Sequence, residues 1–209
     1  RGRQETEEQF PRDVLEILNY FKEPQPQQRI VATPGHSTHV PVWLLGSSLF
    51  SAQLAAKLGL PYSFASHFAP RMLKQAIQLY RENFEPSEYL EKPYVSMGVP
   101  TVVAQTDEEA KYLATSAYQR VLGLMRGQSL RLKAPVESMD GLWNAAEKMS
   151  VDNFYAMAQI GSPSTVKAGL ENLLAHYDVD EFIFTCDIYD TQKRLENFRL
   201  LMQLKNTQV

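Results

Sequence analysis

The sequence predicts a parallel α/β fold, and three observations carry that expectation. Short apolar runs rich in Val, Leu and Met alternate four times with helical stretches. Those runs end on turn and capping residues, at Gly46-Ser47-Ser48, Ser66-His67, Thr106 and Cys186-Asp187. The spacers between them are long enough for return helices, which parallel strands require. An open doubly wound sheet and part of a (β/α)8 barrel both satisfy this pattern. A complete barrel takes about 250 residues and eight units. A chain of 209 residues with four units and a leading helix is therefore too short for a whole one and is compatible with half of one, such as the second.

Residues 3 to 21 place Phe10, Val14, Ile17, Leu18 and Phe21 at helical spacing, and Pro24 and Pro26 stop that helix. Arg29 to Ala32 suits a short extended piece before the turn at Pro34-Gly35. Val40 to Leu45 reads as a strand buried on both faces, followed by an Ala-rich helix over Leu49 to Leu58 that Gly59 ends. The next unit joins a strand at Tyr62 to Ser66 with a helix over Pro70 to Phe84. Met72, Leu73, Ala76, Ile77 and Tyr80 share one side of it. A longer strand, Tyr94 to Gln105, leads into a helix capped by Thr106, with Asp107, Glu108 and Glu109 in its first turn, running to about Met125.

Residues 127 to 150 break the rhythm. With Gly127, Pro135, Gly141 and Trp143 they read as a long insertion suited to covering a pocket. Val151 to Ile160 is expected to be helical, and Gly161-Ser162-Pro163-Ser164 opens a further helix to about Tyr177. A strand at Glu181 to Asp187 and an amphipathic helix at Thr191 to Leu204 complete a single α/β domain over residues 1–209.

Composition narrows the function classes. With 44% hydrophobic, 11% aromatic and 22% charged residues, the chain is neither disordered, collagen-like nor a disulfide miniprotein. Its net charge is 21 − 24 = −3, which offers no global pull towards nucleic acid or an anionic membrane. The single cysteine, Cys186, excludes an internal disulfide and a Cys-built zinc site, and suits a reducing, cytoplasmic setting. Pro41 to Ala56 is interrupted by Gly46, Ser47, Ser48, Ser51 and Gln53, well short of the roughly 20 apolar residues of a membrane span. The opening Arg-Gly-Arg-Gln-Glu-Thr-Glu-Glu has no apolar signal-peptide core, and its lack of an initiator Met fits a truncated chain.

In parallel α/β folds, ligands sit at the C-terminal ends of the strands. Gly46-Ser47-Ser48 is the most informative of these ends. A glycine permits a close turn, two hydroxyls donate, and the following helix offers free N–H groups at its positive dipole end, which together suit a phosphate. An N-cap serine beside a tight turn explains the same residues. The spacing matches neither a P-loop nor the dinucleotide glycine pattern. His67 ends a buried-looking strand and points above the sheet, where it either binds a ligand or is held structurally. His36 and His39 lack acidic or Cys neighbours for a metal site, and Cys186 lacks a base partner for nucleophilic chemistry. Arg120, Arg126, Arg131 and Lys133 read as a solvated basic face. The residues alone stop at a phosphate-bearing ligand.

Six stretches go further. Val42 to Ala56 with Gly59-Leu60-Pro61, Ala65-Ser66-His67-Phe68, Thr106 to Ala110, Ser138 to Trp143, Ile160 to Val166, and Asp180-Glu181 with Ile188-Tyr189-Asp190 lie in a shared order. In that order the chain resembles the bacterial luciferase-like flavin-dependent monooxygenases, from about Glu5 to Leu204. The resemblance implies a TIM-like (β/α)8 barrel of which this chain holds the second half, the first four strands being absent. It implies reduced FMN as cofactor, with the deazaflavin F420 less favoured, and O2 and a small organic molecule as substrates. Ser47 and Ser48 match the family's flavin-phosphate site after Gly46, with Ser51 one turn later, and His67 matches a position lining the flavin pocket. No catalytic residue and no metal ligand is assigned. A homodimer is expected, a separate flavin reductase is an allowed partner, and neither nucleic acid nor membrane is. The alternative is a non-catalytic flavin-binding or assembly protein lacking the N-terminal half.

Overall fold

The computed structural model describes residues 9–205. In order, they form α1 (Phe10–Tyr20), β1 (Leu44–Gly46), α2 (Leu49–Leu58), β2 (Tyr62–Phe64), a 3-10 turn at Pro70–Met72, α3 (Leu73–Glu82), β3 (Val95–Val103) and α4 (Asp107–Met125). After a long connection come α5 (Ala145–Phe154), β4 (Gln159–Gly161), α6 (Pro163–His176), β5 (Glu181–Thr185) and α7 (Thr191–Lys205). Every strand pair is parallel, in the order β1-β2-β3-β4 with β5 also on β3. The α/β class holds, and one strand more than the four expected is present.

β3 organises the sheet because it serves three partners. Its residues 95–97 pair with β2, 96–100 with β5, and 101–103 with β4. Even-numbered backbone groups face β2 and β4: Tyr94 O accepts from Tyr62 N, and Ala104 N donates to Gly161 O. Odd-numbered ones face β5 and α7, where Val95 O accepts from Asp180 N and Val103 N donates to Asn197 Oδ1 at 2.7 Å. Pro100 belongs to the even set, so its missing N–H faces the interval between the end of β2 and the start of β4. That is how a proline sits in a central strand without costing a ladder bond.

Local signals set most boundaries. Ser48 and Thr106 cap α2 and α4 by accepting from Ser51 N and Glu109 N, as the sequence suggests. Gly59 ends α2 in the left-handed conformation (φ 59°), where an added Cβ would also lie 2.6 Å from Glu85 O.

Other boundaries move. Of the expected opening helix, residues 3–8 lie outside the described residues, and helix begins at Phe10. Arg29 to Ala32 joins no ladder, and residues 22–43 run as turns and irregular chain. The first strand is only Leu44–Gly46, since Pro41 offers no N–H and pairing with the segment before β2 starts at Leu44 N to Pro61 O. Pro70–Met72 is a 3-10 turn before α3, not helix of the α type. The expected helix at Val151 to Ile160 is instead the end of α5 followed by β4. A reciprocal capping box of Asn144 and Glu147 starts that helix six residues earlier.

The core lies between the sheet and its helices. Tyr62, Phe64, Val95, Met97 and Val99 pack with Ala52, Ala55, Leu73, Ile77 and Tyr80, and Phe182 and Phe184 of β5 join the same side. By alternation, Leu45, Ser63, Ser96 and Ile183 point to the opposite face of the sheet. There Leu45 is 67% exposed and Ile183 43% exposed. Neither the outer edge of β1 nor that of β5 has a strand partner among the described residues.

Candidate functional site

The parallel sheet brings Gly46 to Ser48, Ser66-His67, Thr106 and Cys186-Asp187 to one end, beyond the C-termini of β1, β2, β3 and β5.

The β1–α2 turn is built from beneath. Ser51, 7% exposed, donates from Oγ to Ser48 O at 2.8 Å and meets Tyr62 Oη at 3.2 Å. Tyr62 Oη in turn donates to Ser48 O at 3.3 Å, and burial pushes its phenol up to about 12, so it stays neutral. A Cβ on Gly46 would collide with Ser51 Oγ and Cβ, so only glycine lets Ser51 seat itself there. Ser47 and Ser48 remain on the outer side, beside the N–H groups of Leu49 and Phe50, which have no intrahelical acceptor.

Carboxylates fill or flank the other helix N-termini that follow strands directly. Asp107 Oδ1 accepts from Ser162 N at 2.6 Å and its Oδ2 from Thr165 Oγ1 at 3.1 Å, so an internal acid occupies the start of α6. Those bonds hold the Asp107 carboxyl below the usual range, the Ser162 backbone N–H contributing most. Asp190 Oδ1 caps α7 through Lys193 N at 2.9 Å, and α4 carries three acids in its first turn. The first turn of α2 has none.

His67 lies one strand over. Its ring centroid is 4.2 Å from that of Phe68 and 5.5 Å from that of Phe154, and its Nδ1 is buried without a hydrogen-bond partner. Behind it, Arg120 donates to Asp187 Oδ2 through Nε at 2.9 Å and Nη2 at 2.5 Å. Tyr155 donates to Ala117 O at 3.3 Å beside that pair. Burial, then the Arg120 charge, lowers the His67 pKa, while Asp187 raises it. An NMR titration of His67 is therefore expected to place its midpoint below the usual 6.5, and Asp187→Asn to lower it further. The unfolded chain takes up this proton first as pH falls. The contribution of His67 to stability is thus complete above pH 6.5 and shrinks as pH drops from there towards the folded-state pKa.

The sequence reading missed Arg120. It is not part of a solvated basic face but is ion-paired with Asp187, and Arg126 is engaged by Glu147 at 2.8 and 2.9 Å. The signal was its spacing, since Arg120 follows Leu113 and Ala117 on the buried side of α4. Cys186 is a partly buried free thiol that burial pushes up to about 11, a poor nucleophile at neutral pH. His36 Nδ1 meets Ser37 Oγ at 3.0 Å.

The long connection after α4 is tied down. Gln119 Nε2 donates to Ala134 O, Val136 N to Thr115 Oγ1, and Arg126 Nη2 to Leu142 O, each at 2.9 Å. Met139 is buried with Val121, Leu122 and Val151. Among the described residues, no group of three or more His, Cys, Asp or Glu is placed to hold a metal ion. No described helix is long and apolar enough to cross a membrane.

The family model described as luciferase-like monooxygenase matches residues 11–177. A luciferase-like monooxygenase of Escherichia coli K12 is 44% identical over 196 residues, covering 94% of this chain. The chain spans 58% of that relative's length. Among solved structures, apo-MsnO8 superposes with a TM-score of 0.75 at 24% identity, over 96% of this chain and 61% of the other. The oxygenating constituent of 3,6-diketocamphane monooxygenase from Pseudomonas putida, in complex with FMN, gives 0.57 at 18% identity, over 91% and 60%.

Proposed function

The chain belongs to the luciferase-like monooxygenase family, and on that premise we propose that it carries the phosphate grip of a reduced-FMN site in a monooxygenase. The substrate class is a small organic molecule, oxidised with O2. One observation carries the phosphate assignment: α2 follows its strand directly with no carboxylate in its first turn, while Asp107 and Asp190 fill the starts of α6 and α7. Ser47, Ser48 and the free N–H groups of α2 would hold the phosphate dianion, and Gly46 and Ser51 would keep that turn in shape. The FMN bound to the diketocamphane enzyme makes this cofactor the first to test.

The bound flavin would supply the redox chemistry with O2. This chain's residues bind, orient and exclude water. His67, held neutral near pH 7, would line the ring pocket with Phe154, whose apolar ring beside it would help exclude water. A homodimer supplied with FMNH2 by a separate reductase completes the proposal.

The test supplies photoreduced FMN, 18O2 and a panel of aldehydes, ketones and sulfur compounds, and looks for one 18O atom in a product. Incorporation supports the monooxygenase. Retained FMN without incorporation from any panel member favours the non-catalytic flavin-binding alternative, and retention of F420 but not FMN replaces the cofactor.

A further inference from the structure

Beside the strand-end site, a further concavity lies on the helix layer. It is an open groove of about 780 Å³ between the segment leading into α3 and the turn between α5 and β4. That size falls within the range of small-molecule sites, about 300–1,000 Å³. Its walls are apolar: Phe68, Met72, Met157 and Tyr177 line it, and Phe68 is 65% exposed. Methionines make such a surface adaptable in shape.

The charge at its rim is one-sided. Arg71 and Lys74 line the groove, no Asp or Glu does, and neither cation has a carboxylate partner among the described residues. Asp152, next in sequence to the groove residue Asn153, is engaged by Lys148 at 2.6 Å. Further along α3 a second groove shares Lys74 and Tyr177. There Arg81 is neutralised by Asp178 and Asp180, each at 2.8 Å. The unneutralised positive charge along α3 therefore lies at Arg71 and Lys74, while that of Arg81 is paired.

We propose that this groove binds an amphipathic anion, a molecule with an apolar body against Phe68, Met72, Met157 and Tyr177 and a carboxylate between Arg71 and Lys74. None of Gly46, Ser47, Ser48 or Ser51 lines it, so it stands apart from the proposed flavin-phosphate grip. It opens beside that site through Phe68, whose ring is 4.2 Å from His67. Both cations are exposed, and replacing them leaves the core intact.

The experiment is an NMR titration of methyl-13C-methionine protein with sodium decanoate and, separately, with decan-1-ol. Decanoate is expected to shift the Met72 and Met157 methyl resonances saturably and leave Met202, on α7, unmoved. Decanol should bind about tenfold more weakly, the loss expected from removing a charge-assisted contact. The Arg71→Gln/Lys74→Gln double variant should bind both ligands alike. Equal affinities for the two ligands in the unaltered protein would overturn the proposal. So would an unchanged decanoate affinity in the double variant, or shifts confined to other methionines. FMN titrations of the same samples read the strand-end site independently.

Discussion

Gly46→Val is expected to abolish phosphate-dependent flavin binding and to lower stability together. Any side chain there collides with Ser51 Oγ and Cβ, and Ser51 is hemmed in by Ser48 O and Tyr62 Oη. Relief requires moving the start of α2, which carries the free N–H groups, and overpacking of this kind costs about 1–3 kcal/mol. Ser48→Ala is the milder companion. It keeps the glycine turn but removes one hydroxyl, which also caps α2, and is expected to weaken phosphate binding by about 1–3 kcal/mol, roughly five- to 150-fold. Fluorescence-quenching titrations with FMN, alongside urea melts, separate the two variants. A Gly46→Val protein with normal FMN affinity would remove the turn from the account.

Asn197→Leu is expected to lower stability through one lost buried hydrogen bond. Asn197 is fully buried, and its Oδ1 is the acceptor for Val103 N. That N–H points towards β5 beyond its last ladder partner, Thr185, so no strand takes the asparagine's place. Leucine preserves much of the volume and leaves the donor buried and unpaired, a penalty of about 1–3 kcal/mol. The thermal midpoint should fall by roughly 2–4 °C per kcal/mol in a chain of this size. The Asn197 Nδ2 group has no partner, so the net cost is tempered by removing one unsatisfied donor. A midpoint equal to the parent protein's would mean that the Val103 N–H finds another acceptor.

The elements that the sequence made legible are those specified by nearby residues. α2 was bounded correctly at both ends because Ser48 and Gly59 are a cap and a left-handed stop that act within one turn. α4 was read from Thr106 and its acidic first turn in the same way. β4 was not legible, because three residues are too few to show a period and its partners, Thr101 to Val103, lie almost sixty residues upstream. Arg29 to Ala32 failed for the opposite reason: local β propensity was present, but no neighbouring strand lay beside it. Likewise, Gly46-Ser47-Ser48 could be nominated as a phosphate turn, but the seating of Ser51 under Gly46 is a tertiary fact. So is the filling of the α6 start by Asp107, which joins residues 107 and 162 across the top of the sheet. Arg120 and Asp187 were each visible, and only the fold shows that they meet.

Everything proposed for the strand-end site depends on the start of α2 holding a flavin phosphate. That assignment is tested most directly by titrating this chain with FMN and with riboflavin, which differ only in that phosphate. FMN is expected to bind more tightly, and Ser48→Ala to shrink the difference without changing riboflavin binding. Equal affinities for the two, unchanged by Ser48→Ala, would contradict it.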